Sequence, residues 1–229
     1  MPEGAGVSVT TRKRADRLTL KEQMRRIFIA FIAILTMATP SHAQDDYPFL
    51  RPDAIRAAYE AAQTDWETVP NIVGMAFVAG EDREFFKLPP SRSTLTREIS
   101  RWYPNSENGQ SRIVGFAIGQ ALTHDEIVNW YVNGVFLGRG CFGVKGAASA
   151  YFKKLPEDLG LAEAAYLAAL PAAPATLHPL RDRESAITRR NFVLSEMEKA
   201  GFISEDDART ASETDLEVVS PLGECPVVN

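Results

Sequence analysis

The chain has 229 residues, a formal net charge of −5, and 45% apolar against 24% charged side chains. That length and apolar share suit one folded domain with a full hydrophobic core and exclude a chain that is mostly disordered. The acidic balance speaks against a nucleic-acid binder, whose surface has to be basic, while leaving room for a local basic pocket that takes a phosphate.

Residues 1–43 read as an export signal rather than as fold. Arg12, Lys13, Arg14, Arg17, Lys21, Arg25 and Arg26 make a basic flank, IFIAFIAILTMA (27–38) is a short apolar run, and Ser41 and Ala43 stand at the small-x-small spacing of a cleavage site. The run is short of the roughly 20 residues that span a bilayer, so cleavage after Ala43 is expected, with an uncleaved anchor as the alternative. Cleavage leaves 186 residues, 44–229, with a net charge of −9, and places them outside the cytoplasm.

Helical signals dominate that remainder. RPDAIRAAYEAAQ (51–63) carries apolar residues at helical spacing, with Asp53 as its cap. A helix is predicted over 72–86, carrying Phe77, Val78 and Phe85, and ended by LPPSRS (88–93). Further helices are predicted over 94–102, after which PNSENGQ (104–110) is a polar loop, and over 112–122. THDE (123–126) is a capping box that opens the next helix, running towards Asn133. Gly134, Gly138, Gly140 and Gly143 crowd a loop before a small-residue helix at 146–152. An alanine-rich helix over 161–170 stops at Pro171 and Pro174, and an amphipathic one over 183–200 ends on Gly201. Residues 218–229 read as irregular. The fold class is mainly α, one helical domain.

Cys141 and Cys225 are the only cysteines, and in an oxidising compartment they either pair or leave one buried thiol and one thiol in the tail. Neither has metal-ligand spacing, and three scattered histidines, His42, His124 and His178, offer no zinc site.

The candidate chemistry begins with EDREFF (81–86). A carboxylate beside apolar walls has its charged form disfavoured, so it can exchange a proton near neutral pH. Adjacent helical residues point about 100° apart, so Glu81 and Asp82 cannot share one substrate face, and one is chemical while the other is structural. The plain alternative is a solvated acidic turn. In SRSTLTREISR (91–101), Ser93, Thr94 and Thr96 lie at a helix start where free N–H groups attract anions, and Arg97 and Arg101 lie one turn apart. The plain alternative there is a Ser/Thr helix cap. Arg112, Arg189 and Arg190 taken singly are solvated surface charges.

Together these pieces resemble the family 51 glycosyltransferases, the peptidoglycan-polymerising domains of bifunctional penicillin-binding proteins and monofunctional transglycosylases. The resemblance runs from about residue 70 to 208. VPNIVGMAFVAGEDREFF (69–86) looks like the family's first motif, SRSTLTRE (91–98) like its glycine-serine-threonine motif, and RRNFVLSEM (189–197) with GFISEDDA (201–208) like its closing motif. The fullest match is EIVNWYVNGVFLGRGCFGVKGAASAYFKK (126–154), continued by DLGLAEAAYLAALPAAP (158–174).

The resemblance implies a lysozyme-like helical domain acting on lipid II and on a growing glycan still linked to lipid diphosphate. It implies Glu81 as the base that deprotonates the acceptor 4-hydroxyl. Ser93, Thr94 and Thr96 would shape the donor site, Arg101 and Arg112 would hold the diphosphate, and a divalent metal such as Mg or Mn would accompany it. The implied setting is the periplasm or the outer face of the inner membrane, with the membrane surface and other cell-wall synthesis proteins as partners and no nucleic acid. This stretch is not expected to bind penicillin.

Three departures stand out. Only ten residues separate Asp82 from Ser93, where the family has a much longer segment. SRST replaces the usual GGST, and Arg97–Glu98 replaces a glutamine pair. IVGF (113–116) stands where the family carries a second essential glutamate, and Asn129 where an acid is common. An active transglycosylase is therefore weighed against a non-catalytic lipid II or glycan binder that regulates assembly, and against a lysozyme-like glycan cleaver.

Overall fold

A computed structural model describes residues 50–63, 66, 69–102 and 111–225. The expected export signal at 1–43 and the polar loop at 104–110 lie outside the described residues. Among those residues the chain forms nine α-helices and no strand: α1 Pro52–Ala62, α2 Asn71–Glu81, α3 Thr94–Arg101, α4 Ser111–Ala121, α5 His124–Gly134, α6 Gly143–Phe152, α7 Leu161–Ala169, α8 Arg183–Lys199 and α9 Glu205–Glu213. The mainly α class read from the sequence is the class observed.

Helix α2 is the hub. Its sequence, NIVGMAFVAGE, is apolar all round, and such a helix has to be covered on every side. Helices α7, α8, α5 and α3 pack around it. Val73, Ala76, Phe77 and Val78 have no exposed surface. Its most extensive packing is with α7, whose LAEAAYLAA sequence keeps its surface low. A Cβ on Gly80 would stand 3.1 Å from the Ala168 carbonyl oxygen, so the residue before Glu81 fits best as glycine.

The capping box at Thr123 forms as the sequence predicts, with Glu126 accepting from the Thr123 N–H at 2.8 Å. Glu126 also takes the Arg56 guanidinium, tying α1 to the start of α5. Pro171 ends α7, and Gly201, with φ of +75°, follows α8 as expected. Three expectations need correction. Asp53 does not cap α1: Pro52 opens that helix, and Asp53 binds Arg51 instead. The helix expected over 72–86 ends at Glu81, because Asp82 leaves the helical region at φ −161°, ψ 77°. The small-residue helix starts at Gly143 rather than Gly146. Gly143 has φ of +76°, and a Cβ there would sit 2.3 Å from the Asn133 carbonyl oxygen. Finally, α9 carries its own capping box, Ser204 with Asp207, which the reading of 201–208 as a motif passed over.

A further correction concerns α8, whose inner face is not purely apolar. Arg190 is 1% exposed. Its guanidinium donates to the Thr214 and Ser212 carbonyls, both at 2.7 Å, at the C-terminal end of α9. A cation there neutralises the end of the helix dipole and satisfies carbonyls that have no helical partner. The sequence reading of Arg190 as a solvated charge fails because α9 comes back over it.

The C-terminal segment is irregular but tied down. Gly223 N–H donates to the Ala150 carbonyl at 2.8 Å, Arg139 Nε donates to the Gly223 carbonyl at 2.6 Å, and Cys225 is bonded to Cys141. Replacing Arg190 by methionine should lower unfolding free energy by about 3 kcal/mol in urea titrations, since two carbonyls at the end of α9 lose the charged donor of a buried side chain. The Cys141–Cys225 bridge closes a separation of 84 residues. Replacing both cysteines with serine should lose about 4 kcal/mol by the chain-entropy argument, and reductant should then have no additional effect on the midpoint.

Candidate active site

Glu81 is the last residue of α2 and is half-buried. Burial raises its carboxyl above the ordinary value, the Glu98 and Asp82 charges add to the effect, and Arg189 opposes it. The turn that follows is fixed from two sides. Phe85 is fully buried against the edge of His124, at 4.8 Å between centroids, and His124 Nε2 lies 2.9 Å from the Leu88 carbonyl. Arg83 binds Glu196 of α8 at 2.8 Å. Glu81 thus projects from a rigid helix end rather than from a loose acidic turn.

Asp82 has the structural role that the sequence left open between the two acids. Its Oδ2 accepts from the Thr94 N–H at 2.8 Å, at the first turn of α3. The next cap contact is Ser93 Oγ, which accepts from the Thr96 N–H at 2.9 Å. Ser93 Oγ donates in turn to Thr96 Oγ1, and Thr96 Oγ1 donates to the Pro90 carbonyl, both at 2.7 Å. Ser93 and Thr96 are 3% and 0% exposed. The expected anion site at this helix start is therefore filled from within: a carboxylate of the chain takes one free N–H, and the hydroxyls of Ser93 and Thr96 are committed to the cap. Thr94 is half-buried at the same turn.

The basic residues divide. Arg101, at the end of α3, is exposed and binds Glu98 at 2.6 Å. Arg112 is exposed in the first turn of α4. Arg189, read from the sequence as a solvated charge, is half-buried within electrostatic reach of Glu81. Its guanidinium carbon lies 4.5 Å from the Phe192 ring centroid, a cation–π contact, and its buried Nε has no hydrogen-bond partner among the described residues. Sequence reasoning passed over Arg189 and Glu98. The paired arginines that open the closing motif, and the acid next to Arg97 in SRSTLTRE, were the available signals.

Tyr131 completes the wall. It is 1% exposed, its ring stacks on Trp102 at 5.9 Å, and burial first, then the charges of Glu81 and Glu98, pushes its hydroxyl pKa upward, so the phenol stays neutral. A separate pocket lined by Tyr59, Pro70, Asn71, Met75 and Asn129 opens at the other end of α2. It lies about 15 Å from Glu81 by helical rise and takes no part in this arrangement. Chemically, the site offers one carboxylate of raised proton affinity, with the Arg189 guanidinium in electrostatic reach.

Residues 93–198 match the family described as Transglycosylase. Glu81 lies upstream of that match. The chain is similar to penicillin-binding protein 1A of Rickettsia conorii, 30% identical over 179 residues, covering 65% of this chain and 23% of that protein. It is similar to the same-named proteins of Neisseria flavescens, 31% identical over 172 residues with 70% and 21% covered, and of Escherichia coli strain K12, 32% identical over 174 residues with 63% and 20% covered. It thus spans about a fifth of the length of these curated relatives. A crystal structure of penicillin-binding protein 1A from Haemophilus influenzae aligns at 29% identity with a TM-score of 0.46, covering 66% of this chain and 17% of that one. The chain carries a transglycosylase domain of the peptidoglycan glycosyltransferase family, glycosyltransferase family 51.

Proposed function

We propose that this domain polymerises lipid II into glycan strands at the outer face of the inner membrane, with Glu81 as general base. The supporting observation is the half-buried Glu81 carboxyl, its proton affinity raised, at the fixed end of α2 beside Arg189. In the reaction, Glu81 takes the proton from the acceptor 4-hydroxyl as that oxygen forms its bond to the donor's anomeric carbon. The bond from that carbon to the diphosphate oxygen breaks, and its electron pair leaves with lipid diphosphate. Arg101, Arg112 and Arg189 are the cations that meet the developing charge. Thr94, at the first turn of α3, borders the donor side, while Ser93 and Thr96 hold the shape of that turn.

Among the described residues no group of three or more His, Cys, Asp or Glu side chains could hold a metal ion. A divalent cation carried by the diphosphate would add positive charge at the leaving group. No described helix is long and apolar enough to cross a membrane.

A second reading, a lipid II binder without turnover, is favoured by one observation. Helix α4 opens with SRIVGF, and its Ile113 and Phe116, 56% and 59% exposed, stand in the block where the family carries a second glutamate. A polymerisation assay on lipid II separates the two. Wild type should make glycan strands, and Glu81→Gln should be slower by about 10²–10⁴-fold. Full activity in Glu81→Gln, or binding of lipid II with no product from wild type, would overturn the catalytic reading.

The same carboxyl has a consequence for stability. Its folded pKa is raised, so its contribution is fully present below the unfolded value and is lost as pH rises through the folded one. Glu81→Gln should therefore melt at a higher temperature than wild type at pH 7. The difference should vanish at about pH 4 and below, where glutamate is protonated in both states. Thermal unfolding followed by circular dichroism at the two pH values reads this directly.

A further inference from the structure

Trp102 closes α3 as its C-terminal cap, and its indole is held in one pose. The ring lies nearly parallel to that of Tyr131 on α5, 14° between planes and 5.9 Å between centroids. Its six-membered edge rests over Gly134, the last residue of α5, where a Cβ would stand 2.7 Å from Cζ3 and 3.1 Å from Cη2. Tyr131 is backed in turn by Phe77 of α2, edge to face at 6.2 Å. Phe77 lies four residues before Glu81, one turn back on the same helix face. Two ring contacts and one helical turn thus join Trp102 to the end of α2 that carries the carboxylate. Helix α3 makes a second connection. Its start is bonded to Asp82 through the Thr94 N–H, and Trp102 follows about 12 Å further along by helical rise.

Tyr131 and Phe77 are buried, whereas Trp102 is 41% exposed. A large ring left in water, yet immobilised by a stack and a glycine seat, gives up little freedom when a ligand meets it. Its face is electron-rich and takes an apolar C–H surface, and a pyranose presents such a surface rimmed with hydroxyls. The charged Glu98–Arg101 pair stands beside it on α3, which suits hydroxyls and not a hydrocarbon tail. We propose that Trp102 is a stacking platform for one N-acetylhexosamine ring of the glycan, held along α3 away from the bond being formed. The inference rests on the reading of the domain as a glycan polymerase, but it concerns binding and is measured without turnover.

The chain has three tryptophans, so nitrogen-15 spectra resolve its indole N–H groups readily, with the Trp102 signal assigned by its loss in Trp102→Phe. A lipid-free tetramer of N-acetylglucosamine should shift that signal saturably, and undecaprenyl phosphate alone should not. Calorimetric affinity for the tetramer should fall about three- to tenfold in Trp102→Leu, the size of one aromatic contact, and less in Trp102→Phe, which keeps a ring. Gly134→Ala removes the seat and not the ring, favours the helix by propensity, and should also weaken binding; it serves where the leucine variant does not fold. In the polymerisation assay Trp102→Leu should raise the KM for lipid II by a similar factor, ahead of any fall in kcat. A Trp102 signal that ignores the tetramer, or answers only to undecaprenyl phosphate, overturns the proposal, as does an unchanged affinity in Trp102→Leu. Sugar binding at Trp102 in a chain that makes no glycan upholds the platform and defeats the catalytic reading of Glu81. Polymerisation with a Trp102 signal unmoved by sugar does the reverse.

Discussion

The crossing of α2 over α7 is the constraint on which the rest of the molecule depends. An apolar helix with neighbours on all sides needs at least one of them to come close, and α7 suits this with five alanines among its nine residues. Gly80 over the Ala168 carbonyl sets how closely the two can meet. Close packing of this kind leaves little room for rotation, so the direction in which α2 ends is fixed by the core. Glu81 inherits that direction. Its burial, and hence the shift in its proton affinity, follows from scaffold residues that have no chemistry of their own.

Much of this was legible in the sequence, and the legible parts have local causes. The Thr123–Glu126 box, the proline stop after α7 and the glycine after α8 are decided within four or five residues, and the structure places them where the pattern does. That one of Glu81 and Asp82 is structural also followed from neighbouring positions on a helix. The identity of the structural partner did not, because the Thr94 N–H is twelve residues away. The same limit explains Arg190. Its partners are carbonyls more than twenty residues downstream, so only the return of α9 distinguishes it from an ordinary surface arginine.

The start of α3 shows the opposite kind of failure. A serine- and threonine-rich helix start reads correctly as a place that attracts anions, and the structure supplies one, but the anion is Asp82. Local pattern identifies the demand of the helix end and not what meets it. Glu98 escaped notice for a related reason: at its place in a helix with Arg101 three residues on, it looks like one half of a surface ion pair. That description is correct, and its charge nonetheless reaches Glu81.

The placement of Asp82 has a mechanical side. The proposed base and the residue that latches α3 are consecutive in the chain, joined by a single peptide unit, and Asp82 sits in an extended conformation with little slack. Helix α3 therefore cannot swing away from α2 without either releasing the latch or turning the backbone that carries Glu81. On the proposed reading, any movement of the start of α3 would be shared with the Glu81 carboxylate, one motion rather than two.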